Sequence, residues 1–385
     1  MPFCTSATKR IAWFGLWFAC AGLLGCPDHP QLDEDHDGGG TSRDVPDDPL
    51  IAQSWHLGSR LRASGVEDGS AGGSLDAVEA WEISQGQGQL IAILDSGIDL
   101  SHPDLRIAPG YDFADDDDDP GPDLYYDDYP HGTAMAGIAA AIGGNGIGTA
   151  GVAPAAQVLP VKIVGRNQSF DALAKAVTYA VHRGAAVISN SWGDGNDHCA
   201  KVELPAVFSK AIDYAESHGR DGLGAVVVFS IGNGGCDVAD NQLLADERLV
   251  VVGATDATGK RVSYSNMGDA LDLMGPSGSQ LDGEGGLWTT DVVGVLGYDN
   301  LGDYFGHATG TSAAAAAVSG VFALMFAANP HLTAAQARAI VCETAIADAS
   351  DAELRETGRS RAYGCGRVSA LSAVTLAREL SAPVP

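Results

Sequence analysis

The chain has 385 residues, 45% of them hydrophobic, with 50 glycines and 17 prolines. That is enough apolar material for a sizeable core and enough turn formers for a loop-rich globular protein, which excludes a fibre and a disordered chain. A formal charge of −28 excludes nucleic acid as the natural partner, since phosphate binding needs clustered Lys and Arg; the surplus of carboxylates suits calcium or cationic substrates instead.

At the N-terminus, Lys9 and Arg10 precede an apolar run from Ile11 to Leu24 that ends in small Gly25. The run is shorter than the roughly 20 residues of a membrane-spanning helix, and the pattern predicts an export signal over residues 1–25. Its ending, LLGC, resembles the lipobox of bacterial lipoproteins, which implies cleavage before Cys26, a lipid on its sulfur and attachment to a membrane, so the protein is expected in the cell envelope or outside the cell. Residues 26–47 carry Pro, Gly and acid with almost no apolar residue and read as a flexible tether. Asp33, Asp35, Asp37, Gly38 and Asp44 match a calcium-loop spacing there, but prolines stand where flanking helices would be, which makes a solvated linker the default.

From Leu75 onward strand-length apolar runs alternate with helical patterns, the signature of an α/β fold with a mostly parallel sheet flanked by helices. Strands are predicted at 90–94, 157–164, 185–192, 225–233 and 249–255, and helices at 131–142, 170–183, 204–219, 311–328 and 333–345. In such sheets, functional residues gather beyond the carboxyl ends of strands. Asp95 follows LIAIL, His131 opens the helix of HGTAMAGIAAA, Asn233 ends AVVVFSIGN, and Ser312 stands at the mouth of GTSAAAAAVSG. Taken singly, each has a plain structural reading as a turn former, a cap or a packed side chain. Taken together they supply a nucleophile, a base, an orienting carboxylate and an oxyanion donor.

The order Asp, His, Ser and the blocks DSGIDLSHPDL, HGTAMAGIAAA and GTSAAAAAVSG, with SIGNGG for the oxyanion asparagine, resemble the subtilisin-like serine proteases from about Asp48 to the last residues. The resemblance implies a three-layer α/β peptidase domain over 48–385, acting on protein or peptide substrates and expected to be a monomer. It assigns Asp95, His131, Ser312 and Asn233 to catalysis, and Ser191, Trp192, Gly193 and Asp128 to substrate binding. Several stretches resemble the kexin and furin branch more than the secreted bacterial subtilisins, and the family's calcium ligands carry over to Asp48, Asp104 and Asn145, with backbone carbonyls of Ile142, Ile147 and Thr149. The acidic run Asp115–Asp119 reads as a solvated loop, with a weaker calcium site of that branch, on Asp112, Asp117 and Asp119, as its other reading.

The sequence departs from this branch in several places. Ala316 and Ala317 stand where the family has Pro-His, Ser96 replaces an acid after the catalytic aspartate, and Asn196 and Asn266 align with acids of the basic-specific branch. Asp194, Asp197, Asp237 and Asp240 lie near enough in sequence to offset those losses in part, so a graded preference for basic residues around the scissile bond is expected. The chain ends at Pro385 without room for the β-domain of the eukaryotic members, and the tether is too short and polar for the usual propeptide, so the domain folds unaided or with a helper protein. The competing reading from another class is a binding module that keeps the fold and has lost turnover.

Beyond Cys26 four cysteines remain, and an even number in an exported chain favours disulfides. Of three pairings, we expect Cys199 with Cys236, both past strand ends near the cleft, and Cys342 with Cys365, in the last helical segments.

Overall fold

The computed structural model describes residues 46–58, 70–123, 129–165, 169–193, 199–279, 285–300 and 302–381. The export signal, Cys26, all of the tether but Pro46 and Asp47, and the substrate-binding candidate Asp128 therefore lie outside the described residues, as do Asp194, Asn196 and Asp197.

Seven strands form one parallel sheet: β1 (Leu90–Asp95), β2 (Tyr111–Asp112), β3 (Gln157–Lys162), β4 (Val187–Asn190), β5 (Val226–Ser230), β6 (Leu249–Thr255) and β7 (Leu273–Pro276), in the order β2-β3-β1-β4-β5-β6-β7. The five predicted strands are its centre. Both faces are buried, so the strands read as continuous apolar runs instead of an alternation with polar residues. Their period of two still sorts the core: Ile91, Ile93, Val250 and Val252 point to one layer, whereas Ala92, Leu94, Leu249 and Val251 point to the other.

The first layer holds α1 (Ala77–Ala80), α2 (His131–Ala140), α5 (Gly310–Ala328) and α8 (Ala370–Glu379); the second holds α3 (Phe170–His182) and α4 (Ala206–Gly222). Two further helices, α6 (Ala334–Glu343) and α7 (Ala352–Thr357), lie between α5 and α8 in sequence. Helix α5 is apolar and long enough to cross a membrane by composition, yet Gly310 through Phe326 are all buried inside the domain. Its alanines and glycines set that position, because a Cβ on Gly320 would stand 2.6 Å from Val152 and 2.9 Å from the Ala139 carbonyl of α2. The helix is continuous through Ala316 and Ala317.

Three features differ from the sequence expectation. Edge strands β2 and β7, and the hairpin of β8 (Leu287–Thr290) with β9 (Tyr304–Ala308), are too short or too polar to carry a periodic signal. Helix α2 stops at Ala140, before Ile142, because Ala141 turns to extended backbone and the Ile142 N–H donates to the Asp104 carbonyl at 2.9 Å. Helix α4 begins at Ala206 after Pro205, and its helical geometry breaks at Gly219, which is extended, and at Arg220 and Asp221, both at positive φ. Arg220 leaves the helix to stand 3.7 Å above the Phe326 ring and to donate to the carbonyls of Leu332 and Pro330.

Candidate active site

Strand β1 has β3 on one side and β4 on the other, so the connections leave it in opposite directions and open a crevice at its carboxyl end. Asp95 is the last residue of β1 and His131 the first of α2. His131 Nδ1 lies 2.7 Å from Asp95 Oδ1. The same oxygen accepts from the Ser96 N–H at 2.8 Å, while Asp95 Oδ2 is buried without a hydrogen-bond partner among the described residues. The carboxylate thus concentrates its acceptor strength on one edge, which fixes the imidazole orientation.

Ser96 joins the two elements. Its hydroxyl donates to the Tyr129 carbonyl at 3.2 Å and accepts from the Gly132 N–H at 3.1 Å. Gly132 is required for the approach, since a Cβ there would stand 2.2 Å from the Gly97 carbonyl. The residue that replaces an acid of the branch is therefore a brace between the β1 loop and the first turn of α2.

Ser312 is the third residue of α5, in the turn whose N–H groups a helix leaves unpaired and where its dipole is positive. Its hydroxyl donates to the Ser191 carbonyl at 3.0 Å, and the Ser191 hydroxyl donates to the Ser312 carbonyl at 3.1 Å. Asn233, exposed after β5, accepts on its side-chain oxygen from both the N–H and the hydroxyl of Thr311, at 2.8 and 2.9 Å. With that oxygen committed, its amide N–H groups are the ones left for the cleft. The turn into α5 has Gly310 at φ +91, a conformation that favours glycine. The Tyr264 hydroxyl accepts from the Gly310 N–H at 3.1 Å and donates to the Gly278 carbonyl at 2.7 Å. Burial pushes the Tyr264 phenol above its ordinary range, which keeps it a neutral hydrogen-bond donor. Neither Thr311 nor Tyr264 was legible as a site residue: Thr311 reads as a helix-start threonine, and Tyr264 lies far away in sequence.

Ser191 is buried, Trp192 half-buried and Gly193 exposed just beyond β4. Trp192 packs edge-on against Phe229, ring centroids 5.1 Å apart. The Cys199–Cys236 disulfide ties the segment after β4 to the segment after β5, and Cys342–Cys365 ties α6 to the turn before α8. Both are the expected pairings. Asn266, aligned with an acid of the basic-specific branch, is fully buried; its oxygen accepts from the Cys236 N–H at 2.9 Å and its amide donates to the Ile231 carbonyl at 3.0 Å. Asp237, expected to offset the missing acids, is paired with Arg361 at 2.5 Å. The Arg361 guanidinium already neutralises it.

The six calcium candidates converge on the loop between α2 and β3. Asp48 accepts from the N–H groups of Gly144, Asn145 and Gly146 at 2.8, 3.0 and 3.2 Å. Asp104 accepts from the Asn145 amide at 2.7 Å and the Thr149 N–H at 3.3 Å. The Ile147 N–H donates to the Asn145 side chain at 3.1 Å. Both carboxylates are buried, and among the described residues neither has an ionic partner. Burial, reinforced by the Asp48 charge, pushes the Asp104 carboxyl up to about 6. An all-oxygen donor set of two carboxylates, one amide and loop carbonyls fits a hard cation.

The acidic run is different. Lys162 is in register with Asp95 at the end of β3, is itself buried, and sets its ammonium 2.7 Å from Asp112 and 3.5 Å from Asp115. The other Asp112 oxygen accepts from the N–H groups of Ala114 and Asp115 at 2.7 and 3.0 Å. A tethered cation thus neutralises the base of this loop.

Residues 86–366 match the model of the Subtilase family. The chain is 36% identical over 354 residues to a calcium-dependent protease of Nostoc sp., covering 85% of this chain and 51% of that protein. It is 32% identical over 306 residues to thermitase of Thermoactinomyces vulgaris, covering 78% and 93% respectively. A solved protease of Pseudoalteromonas arctica superposes with a TM-score of 0.68 at 27% identity, over 87% of this chain and all of that one. The chain spans about half the length of the Nostoc relative. With a family match that runs from before β1 to beyond α7 and takes in the sheet, His131, Asn233 and Ser312, the chain belongs to the subtilase family.

Proposed function

We propose that the protein is an exported, calcium-stabilised serine endopeptidase that hydrolyses peptide bonds. The observation that carries this reading is the 2.7 Å contact of His131 with Asp95, taken together with a serine in the first turn of the buried helix α5. Ser312 attacks the scissile carbonyl and His131 takes its proton, then returns it to the leaving amine. Asp95 stays ionised and stabilises the imidazolium. Asn233 and the Ser312 N–H receive the developing oxyanion, where one such donor is worth about 3 kcal/mol of barrier. Ser191, Trp192, Gly193 and Asp128 are the residues assigned to substrate binding.

Bound calcium supplies a cross-link and charge neutralisation, clipping the Asp48 arm to the loop that carries Asn145. The relatives' names support calcium, and the buried like charges of Asp48 and Asp104 support it independently. A preference for basic residues near the scissile bond rests on the overall charge of −28 and on Asp128, because Asn266 and Asp237 are committed elsewhere. Export is supported by two disulfides, with Cys26 as the membrane attachment and a monomer as the working unit.

Labelling with a fluorophosphonate probe in calcium buffer tests the reading. Wild-type protein should be modified on Ser312 and should cleave a peptide library, whereas Ser312→Ala should do neither while melting at the same temperature. An unlabelled, folded wild-type protein would make it a binding module instead. Enrichment of Lys or Arg at any subsite of the library supports the basic preference, and its absence removes that part alone.

A further inference from the structure

The loop from Asp291 to Asp303 joins β8 to β9, and its backbone is pinned by three carboxylates. Asp291, fully buried, accepts from the N–H groups of Val292 and Asp299, both at 2.8 Å. Asp99 accepts from Val293 and Asp303 from Gly294, both at 2.9 Å. A Cβ on Gly297 would stand 2.3 Å from the Asp291 carboxyl carbon, so the loop is closed tightly around that side chain. With its backbone pinned on these carboxylates, the loop presents apolar side chains outward beside the exposed Asp299 and Asn300: Val293, Val295, Leu296 and Tyr298 are between 38% and 73% exposed. Leu100, next to the anchoring Asp99, is 46% exposed. These five residues are more than half of the nine large hydrophobic side chains exposed among the described residues. A fixed apolar surface of this kind binds without a large ordering cost.

The ribbon that carries the loop touches both candidate catalytic elements, α2 at its loop end and the start of α5 at its other end. The Thr289 and Thr290 hydroxyls donate to the carbonyls of Ala134 and Thr133 in the first turn of α2, at 2.5 and 2.7 Å. Strand β9 ends at Ala308, just before α5 and Ser312, while Asp99 follows closely on Asp95. At about 3.3 Å per residue the length of β9 separates the loop from the entry to α5 by roughly 15 Å. A polypeptide running extended from the cleft covers that distance in about five residues.

We propose that the loop carrying Val293, Val295, Leu296 and Tyr298, together with Leu100, is a docking surface outside the cleft that grips an apolar segment of an unfolded polypeptide substrate. The inference rests on the endopeptidase reading above. Continuity with both catalytic elements favours a substrate chain. An anionic lipid surface is disfavoured by the exposed Asp299 carboxylate and by the charge of −28. A second copy is disfavoured because five side chains fall short of the roughly 800 Å² per partner that a stable interface buries.

The test compares wild type with Val295→Asp/Leu296→Asp, and with Val295→Leu as the conservative variant, on two substrates: a tetrapeptide amide taken from the library and a reduced, alkylated protein chain. The tetrapeptide cannot reach the loop, so its kcat and KM should be equal in all three proteins. For the unfolded chain, KM should rise roughly fivefold or more in the double aspartate variant, with kcat held, and Val295→Leu should match wild type. Equal KM values on the long substrate, or a parallel loss on both substrates, would overturn the docking surface. It would equally be overturned if the loop proved to serve a lipid surface, read as cosedimentation with phosphatidylglycerol vesicles lost in the variant, or a dimer, read as a wild-type sedimentation coefficient that falls in the variant. A wild-type protein that cleaves neither substrate would instead count against the endopeptidase reading.

Discussion

The side-chain oxygen of Asn233 accepts two hydrogen bonds from Thr311, the residue before Ser312. The pair joins the end of β5 to the first turn of α5, and the Thr311 hydroxyl also accepts from the Gly232 N–H at 3.1 Å. Thr311→Val removes the hydroxyl at nearly constant volume and leaves that buried N–H unpaired, at about 1–3 kcal/mol of stability. It should also leave the Asn233 oxygen held by the Thr311 N–H alone, which loosens the amide. We expect a folded protein with a lower melting temperature and a kcat between that of wild type and that of Asn233→Ala. Asn233→Ala itself should keep its fold and lose roughly a hundredfold or more in kcat. Steady-state kinetics of the two variants on one peptide check the order.

Tyr264 acts on the nucleophile through the backbone of Gly310. Tyr264→Phe keeps the ring and its packing but removes the acceptor for the Gly310 N–H and the donor to the Gly278 carbonyl. The expected result is a kcat lower by about tenfold, equivalent to about 1.4 kcal/mol, with KM unchanged. A change in KM with kcat held would mean that the tyrosine shapes substrate binding instead.

Chelation should lower the melting temperature and expose the N-terminal arm to proteolysis near Asp48, because the site would lose its counter-charge. Asp104→Asn separates charge from ligation: it should raise the stability of the chelated protein and abolish the calcium-dependent increase. Thermal melts with and without excess chelator read both effects.

His56 is fully buried, and among the described residues neither ring nitrogen has a hydrogen-bond partner. Burial alone holds its pKa down at about 3 against an ordinary 6.5. Above pH 6.5 both folded and unfolded chains carry it neutral; below that, the unfolded chain takes a proton that the folded chain refuses. Stability is therefore lost as the pH falls from 6.5 towards 3, by about 5 kcal/mol at the limit. His56→Phe should flatten this part of the pH–stability curve, measured by denaturant titration at pH 4 and pH 7. An identical slope in both proteins would remove His56 as the cause.

The sequence by itself determined the strands that are buried on both faces and the helices that flank them, and it singled out the four candidate catalytic residues, because each lies at the end of a long apolar run or in a local block. It also determined the disulfide partners, since each pair follows neighbouring elements. The braces were decided only in three dimensions. Ser96 reads as a lost acid until its hydroxyl is seen to join Tyr129 to Gly132, and Asp237 reads as a free counter-charge until Arg361 reaches it across the fold. Lys162 looks like an ordinary strand-end lysine, yet it neutralises carboxylates contributed by the neighbouring edge strand and the loop that follows it. Such contacts join residues tens to more than a hundred positions apart, and a single hydrogen bond or ion pair leaves no periodicity along the chain. Hydrophobic burial needs many residues in register and therefore writes a repeating pattern; orientation of a side chain needs only one partner, which tertiary packing alone supplies.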